Sequence, residues 1–239
     1  MNILAIGNSF SQDATRYLAQ IAKADSYNLN VVNLYIGGCS LYTHFKNIRS
    51  DSKAYSLEVN GESTGFLVSI KESLLNRDWD YVTMQQVSHQ SIDYDTFCPY
   101  LMELSAYVKK YAPKAKQIIH QTWAYEQDSD RLCVELGYTN QLDMFKDIEA
   151  SYQKAAKDID AEKIIPSGEL FQKLLKNGFA KIHRDTFHAS LGAGRYALGL
   201  LWYKALTGRD ILNNNFCTFD EPITDEEIKI IKKAVNEIL

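Results

Sequence analysis

Asn2-Ile3-Leu4-Ala5-Ile6-Gly7-Asn8-Ser9-Phe10-Ser11 is the stretch on which the fold turns. A short apolar run that stops at a glycine reads as a strand buried on both faces. It passes through a polar turn into a helix. From Asp13 onward Ala14, Tyr17, Leu18, Ile21 and Ala22 fall at the i, i+3, i+4, i+7, i+8 spacing of one helical face. The same alternation recurs down the chain. Asn30–Ile36 reads as a second strand stopped by Gly37-Gly38, Tyr81–Gln85 as a third, Gln117–His120 as the start of a fourth, and Lys163–Ile165 as a fifth. Helical windows cover Leu41–Ile48, Ile70–Leu75, Phe97–Tyr111, Leu142–Ile159, Ser167–Lys176, Leu191–Leu206 (closed by Gly208) and Asp225–Ile238. Within Tyr55–Phe66, Asn60-Gly61 between strand-like flanks marks a hairpin. Strands alternating with helices over the whole length predict an α/β fold. The expected form is a three-layer α/β/α sandwich on a mostly parallel five-stranded sheet, in a single domain over residues 1–239.

Composition narrows the function. Lys+Arg 26 against Asp+Glu 30 gives a net charge of −4, which argues against a nucleic-acid partner. No apolar run approaches the ~18 residues of a membrane span, so no membrane partner is expected. Cys39, Cys98, Cys133 and Cys217 form no CxxC pair and no zinc-spaced cluster with histidine, so they read as reduced thiols and no metal is expected. Met1-Asn2 runs straight into the first strand without a basic leader, which reads as cytoplasmic; a secreted or periplasmic chain trimmed of its leader would look the same.

In open parallel sheets, ligands bind beyond the carboxyl ends of the strands, so the polar residues just after strands are the candidates. Ser9 sits between the first strand and its helix, where its hydroxyl overlooks the strand ends and its N–H can meet a developing oxyanion. The bland alternative is that Ser9 or Ser11 merely caps the helix. In Asp185-Thr186-Phe187-His188 the acid and the imidazole stand three residues apart, near enough for Asp185 to orient His188 as a base. The alternative is a solvated loop, and His183 is a rival base. Trp123 follows the fourth strand, where an indole can stack on a sugar ring or simply pack. Trp79 and Trp202 read as packing and His44 as a surface residue of a short helix. Cys39 has no evident base beside it in sequence. The polar connection Glu126–Asn140 carries no readable chemistry, though it could wall a pocket.

Taken together, these pieces resemble the SGNH (GDSL-like) hydrolases. Gly7-Asn8-Ser9-Phe10-Ser11 resembles their Gly-Asp-Ser block, with Asn8 in place of the usual Asp. Gly37-Gly38 resembles the second block and Asp185-Thr186-Phe187-His188 the last. The third block departs: the usual Gly-x-Asn-Asp is replaced by Gln85-Gln86-Val87-Ser88-His89, which resembles a variant subgroup with a Gln-rich third block. The resemblance implies a flavodoxin-like strand order and a serine esterase cleaving small acyl esters, with O-acetylated carbohydrate the best-matching substrate class. Ser9 is then the nucleophile, His188 the general base and Asp185 its partner. Ser9 and Gly38 N–H groups would bind the oxyanion, helped by Gln86 in place of the missing Asn. Trp123 and His89 would contact substrate, and no cofactor is implied. Three other readings stay open: a lipase-like or thioester acylhydrolase using the same residues, a non-catalytic carbohydrate-binding relative, and a phosphate or nucleotide binder.

Overall fold

The computed structural model describes residues 1–179 and 181–239. The first strand, β1 (Asn2–Gly7), lies at the centre of the sheet and pairs in parallel with β2 (Asn30–Tyr35) on one side and β5 (Tyr81–Met84) on the other. Beyond β5 lie β6 (Lys116–His120) and β7 (Lys163–Ile165), both parallel. These five are the expected strands. The sheet has seven because the hairpin joins it: β3 (Tyr55–Val59) pairs antiparallel with β2, and β4 (Glu62–Val68) forms the edge. Its turn needs positive φ at both central residues, and Asn60 and Gly61 adopt φ 53° and 87°. A Cβ on Gly61 would stand 2.1 Å from the Arg16 carbonyl oxygen, so only glycine fits where the hairpin meets the first helices. The spatial order β4-β3-β2-β1-β5-β6-β7 reverses direction at β1.

The connections between the parallel strands put helices on both faces. One layer holds α1 (Ser9–Thr15), α2 (Leu18–Ala24), α7 (Ser167–Lys176), α8 (Ala193–Thr207) and α9 (Asp225–Ile238). The other holds α3 (Leu41–Ser50), α4 (Ile70–Leu75), α5 (Tyr100–Tyr111) and α6 (Gln141–Asp158). The first helix begins earlier than its apolar face suggests and is interrupted at Arg16-Tyr17, giving α1 and α2. Apolar on all sides, α8 is almost wholly buried, Trp202 included, and ends at Gly208 in the left-handed conformation. No helix among the described residues is long and apolar enough to cross a membrane.

One surface reading is corrected by burial. His44 is fully buried: its ring stacks on Tyr55 of the hairpin at 5.7 Å, and its Nδ1 lies 2.8 Å from the Tyr55 hydroxyl. Burial pushes its pKa down to about 3, so the ring stays neutral. Cys39 has a histidine beside it after all, His44 Nδ1 at 3.5 Å. The thiol is nonetheless buried and pushed up to about 12, which makes it inert.

Candidate active site

The ends of β1, β2 and β5 converge at the switch in strand order, and a cleft of about 340 Å³ opens there. Asn8, not a serine, caps α1: its Oδ1 accepts the Phe10 N–H at 3.0 Å. That leaves the Ser9 hydroxyl free to face the cleft. Ser11 points the other way, buried between the Asn8 carbonyl (2.8 Å) and Asn33 Oδ1 (2.7 Å). As the first residue of α1, Ser9 has no helical partner for its N–H.

Residues 183–189 form a loop pinched by an isolated antiparallel bridge between His183 and Ala189. Inside it Thr186 adopts φ 74°, a strained conformation for a β-branched residue. The chain thereby doubles back, and Asp185 Oδ1 accepts the His188 N–H at 2.9 Å while its Oδ2 accepts from the ring Nδ1 at 2.8 Å. Partial burial pushes the Asp185 carboxyl up, but the two His188 hydrogen bonds and the Arg184 charge outweigh it, holding it below the usual carboxylate range. A carboxylate only accepts, so Nδ1 carries the proton and Nε2 is left as an acceptor. Ser9 Oγ lies 2.8 Å from that Nε2. Such a hydroxyl, facing an oriented neutral imidazole, can be deprotonated as it attacks.

His183 does not compete. It is buried, its Nε2 lies 3.1 Å from the Ala124 carbonyl oxygen, and burial holds its pKa down to about 4. Gly38 lines the cleft and stands at φ 62°, the left-handed position of the turn closed by Cys39 N–H donating to the Ile36 carbonyl at 3.2 Å. Its own N–H makes no backbone hydrogen bond among the described residues. Val87, Ser88 and His89 of the third block also line the cleft.

Two expected site residues lie elsewhere. Gln86 is fully buried and saturated: its Oε1 accepts from Leu41 N–H (2.8 Å) and Val87 N–H (2.9 Å), while its Nε2 donates to the Thr96 carbonyl (2.9 Å). It ties the end of β5 to the start of α3 and cannot turn to an oxyanion. Gln85 is the one that faces the Ser9 turn. Its Nε2 donates to Asn8 Oδ1 at 2.8 Å, and its Oε1 pairs with His120 Nδ1 at 2.7 Å. Asn8 Nδ2 in turn donates to the Cys39 carbonyl at 3.0 Å, tying the Ser9 turn to the Gly38 turn. Trp123 is fully buried rather than at the rim. It is stacked between Phe10 (4.1 Å between ring centroids) and Phe171 (4.6 Å), and its indole N–H donates to the Phe187 carbonyl at 2.8 Å. Phe10 follows Ser9 and Phe187 precedes His188, so the indole is the floor beneath both.

Sequence reading also missed a residue. Arg131, in the connection Glu126–Asn140, lines the cleft from a π-helical turn, Arg131–Glu135. Among the described residues no group of three or more His, Cys, Asp or Glu could hold a metal ion.

The fold is that of the SGNH hydrolases and GDSL-like lipases, with which the chain shares its central sheet and flanking helices. The chain itself belongs to the family described as "Domain of unknown function (DUF4886)", whose profile spans residues 2–237. A DUF4886 family protein from Bacteroides uniformis, solved by crystallography, is 34% identical with TM-score 0.92, over 99% of this chain and 93% of that one. A protein from Slackia heliotrinireducens, provisionally assigned to the SGNH hydrolases, is 24% identical with TM-score 0.62, over 85% and 97%. An acetylxylan esterase from Geobacillus stearothermophilus shares 15% identity and TM-score 0.54, over 90% and 97%. No curated protein matches the sequence.

Proposed function

We propose that this chain is a serine hydrolase of ester bonds. The observation that carries the reading is the continuous Ser9–His188–Asp185 hydrogen-bonded chain, with both side-chain links at 2.8 Å. In the reaction Ser9 Oγ attacks the ester carbonyl as His188 Nε2 takes its proton. The N–H groups of Ser9 and Gly38 receive the oxyanion, and Asp185 stabilises the imidazolium. His188 then protonates the departing alcohol, and water, deprotonated by the same imidazole, releases the acid and frees Ser9.

A cleft of about 340 Å³ suits a small acyl group. O-acetylated carbohydrate is the substrate class we favour, supported by the fold shared with an acetylxylan esterase. In this reading His89, exposed where it lines the cleft, contacts the sugar. The test is fluorophosphonate labelling together with hydrolysis of short aryl and sugar acetates. Ser9 should label, and Ser9→Ala should lose turnover by orders of magnitude with its Tm retained. Wild-type rates in Ser9→Ala, or a label on Ser11, would refute the assignment. Tight sugar binding with no turnover by the wild type would favour a non-catalytic carbohydrate binder.

A further inference from the structure

Two arginines stand at this cleft in a chain whose net charge is −4. Arg131 and Arg184 both line it, and no Asp or Glu side chain does so among the described residues. The two arginines are not equivalent. Arg184 is committed to the buried Asp13, with Nη1 at 3.0 Å from its carboxylate. The ionic partner of Arg131 among the described residues is Glu135, one turn on at 3.6 Å, and that carboxylate is 58% exposed. Exposed pairs of this kind hold weakly and exchange readily for a better partner.

The guanidinium of Arg131 stands 4.2 Å from the centroid of the Phe187 ring, which is itself 3.8 Å from the His188 imidazole. Stacked against an aromatic face, an arginine side chain is held in place while its N–H fork stays open to a carboxylate, sulfate or phosphate. Its backbone belongs to a π-helical turn, a distortion that recurs at functional sites. Partial desolvation, and then the Arg131 charge, holds the His89 pKa below the ordinary imidazole value.

Which half of the ester Arg131 faces follows from the chemistry. His188 must pass its proton to the alcohol oxygen, so a group beside His188 flanks the alcohol half. Building on the ester-hydrolase reading above, we infer that Arg131 is a specificity residue for an anionic group on the alcohol half of the substrate. A molecule of net negative charge repels anionic substrates at long range, so a local cation at the mouth is what admits them. An acetylated acidic sugar has both required parts, an O-acetyl ester and a nearby carboxylate or sulfate.

The test is a matched pair of acetates, 3-acetoxybenzoate and its neutral analogue 3-acetoxybenzamide. Wild type should favour the benzoate by about tenfold or more in kcat/KM, a preference that shrinks with added salt. Arg131→Gln should collapse that ratio, and Glu135→Gln, which removes the competing carboxylate, should raise it. The ratio is read within each variant, so a general loss of stability or activity does not mimic the effect. A labelled Ser9 and steady turnover with no anionic preference, or a preference that survives Arg131→Gln, overturns this inference and leaves the hydrolase reading standing. Turnover of neither ester, with Ser9 unlabelled, overturns both.

Discussion

Gln85→Leu separates the two glutamines of the third block. The substitution nearly conserves volume, so its effect comes from hydrogen bonds. Gln85 is buried, and its amide links His120 Nδ1 (2.7 Å) to Asn8 Oδ1 (2.8 Å). Asn8 Oδ1 keeps the Phe10 N–H when Gln85 is lost, so that acceptor is not stranded. His120 Nδ1 is stranded, in a ring whose other nitrogen lies 3.1 Å from Ser167 Oγ. An orphaned buried polar group costs about 1–3 kcal/mol and the lost bond to Asn8 about 1 more, giving roughly 2–4 kcal/mol. For a chain of 239 residues that lowers Tm by roughly 5–15 °C. Activity should fall too. Asn8 holds the Cys39 carbonyl, hence the Gly38 turn, and under the proposed mechanism a loosened oxyanion donor there costs somewhat less than the about 2.7–4 kcal/mol of a deleted one. The expected signature in a thermal melt and an acetate assay is a lower Tm, kcat down about ten- to a hundredfold, and KM little changed. A wild-type Tm and kcat in Gln85→Leu, or a selective loss of kcat in Gln86→Leu at unchanged Tm, would refute this division of roles.

Three further outcomes follow from the same contacts. His188→Ala should abolish ester turnover, whereas His183→Ala, which loses buried contacts to the Ala124 carbonyl and the Phe171 ring, should lower Tm and keep measurable kcat. Trp123→Ala should cost about 3–5 kcal/mol by chemical denaturation, with reduced kcat because Phe10 and Phe187 lose their floor. Hydrogen bonds from Arg16 and Arg195 hold the Asp220 carboxyl down, from 3.8 to about 2. Its folded pKa lies below its unfolded one, so its stabilisation is full above pH ~4 and is lost as pH falls through about 2. The Tm deficit of Asp220→Asn should therefore be constant near neutrality and close between pH ~4 and ~2.

What could be read in the sequence was whatever a local pattern encodes. Ser9, Gly38, Asp185 and His188 each sit in a short motif beside a strand end or in a tight loop, and neighbours in sequence set their local geometry. Gln86 illustrates where that ends. The sequence reads a strand over Tyr81–Gln85, but β5 stops at Met84, so the two-residue alternation of a strand governs neither glutamine. Gln86 is then claimed by the Leu41 N–H at the start of α3, a contact across 45 positions that no local pattern announces. Trp123 has the same history: three residues past β6, it turns inward between Phe10 and Phe171 from two other elements. His44 was misread because its burial depends on Tyr55, and the docking of the hairpin against β2 is a tertiary event even though its Asn60-Gly61 turn is a local one. Arg131 was passed over because a polar connection looks the same whether or not it folds back onto a cleft.

One carboxylate links these separate pieces into a site. Asp13, one turn beyond Ser9 in α1, is fully buried and accepts from Arg184 Nη1 (3.0 Å), Arg195 Nε (2.9 Å) and the Ala189 N–H (3.2 Å). Arg184 and Ala189 stand on either side of the Asp185–His188 segment, so both feet of that loop are fastened to the helix that carries Ser9. Arg195 continues the connection to Asp220 at 2.7 Å, and Asp220 to Arg16 at 2.7 Å, returning it to the end of α1. Burial pushes the Asp13 carboxyl up, and the two guanidinium groups pull it back. Ion pairs at such depth often add little net stability, because desolvation cancels much of the attraction. Their directional bonds nonetheless fix geometry in a way an apolar contact does not. The 2.8 Å separation of Ser9 and His188 spans 179 positions of chain and sits on a strained loop. An apolar contact tolerates shifts that would break that hydrogen bond, whereas a carboxylate gripping the helix and both ends of the loop does not.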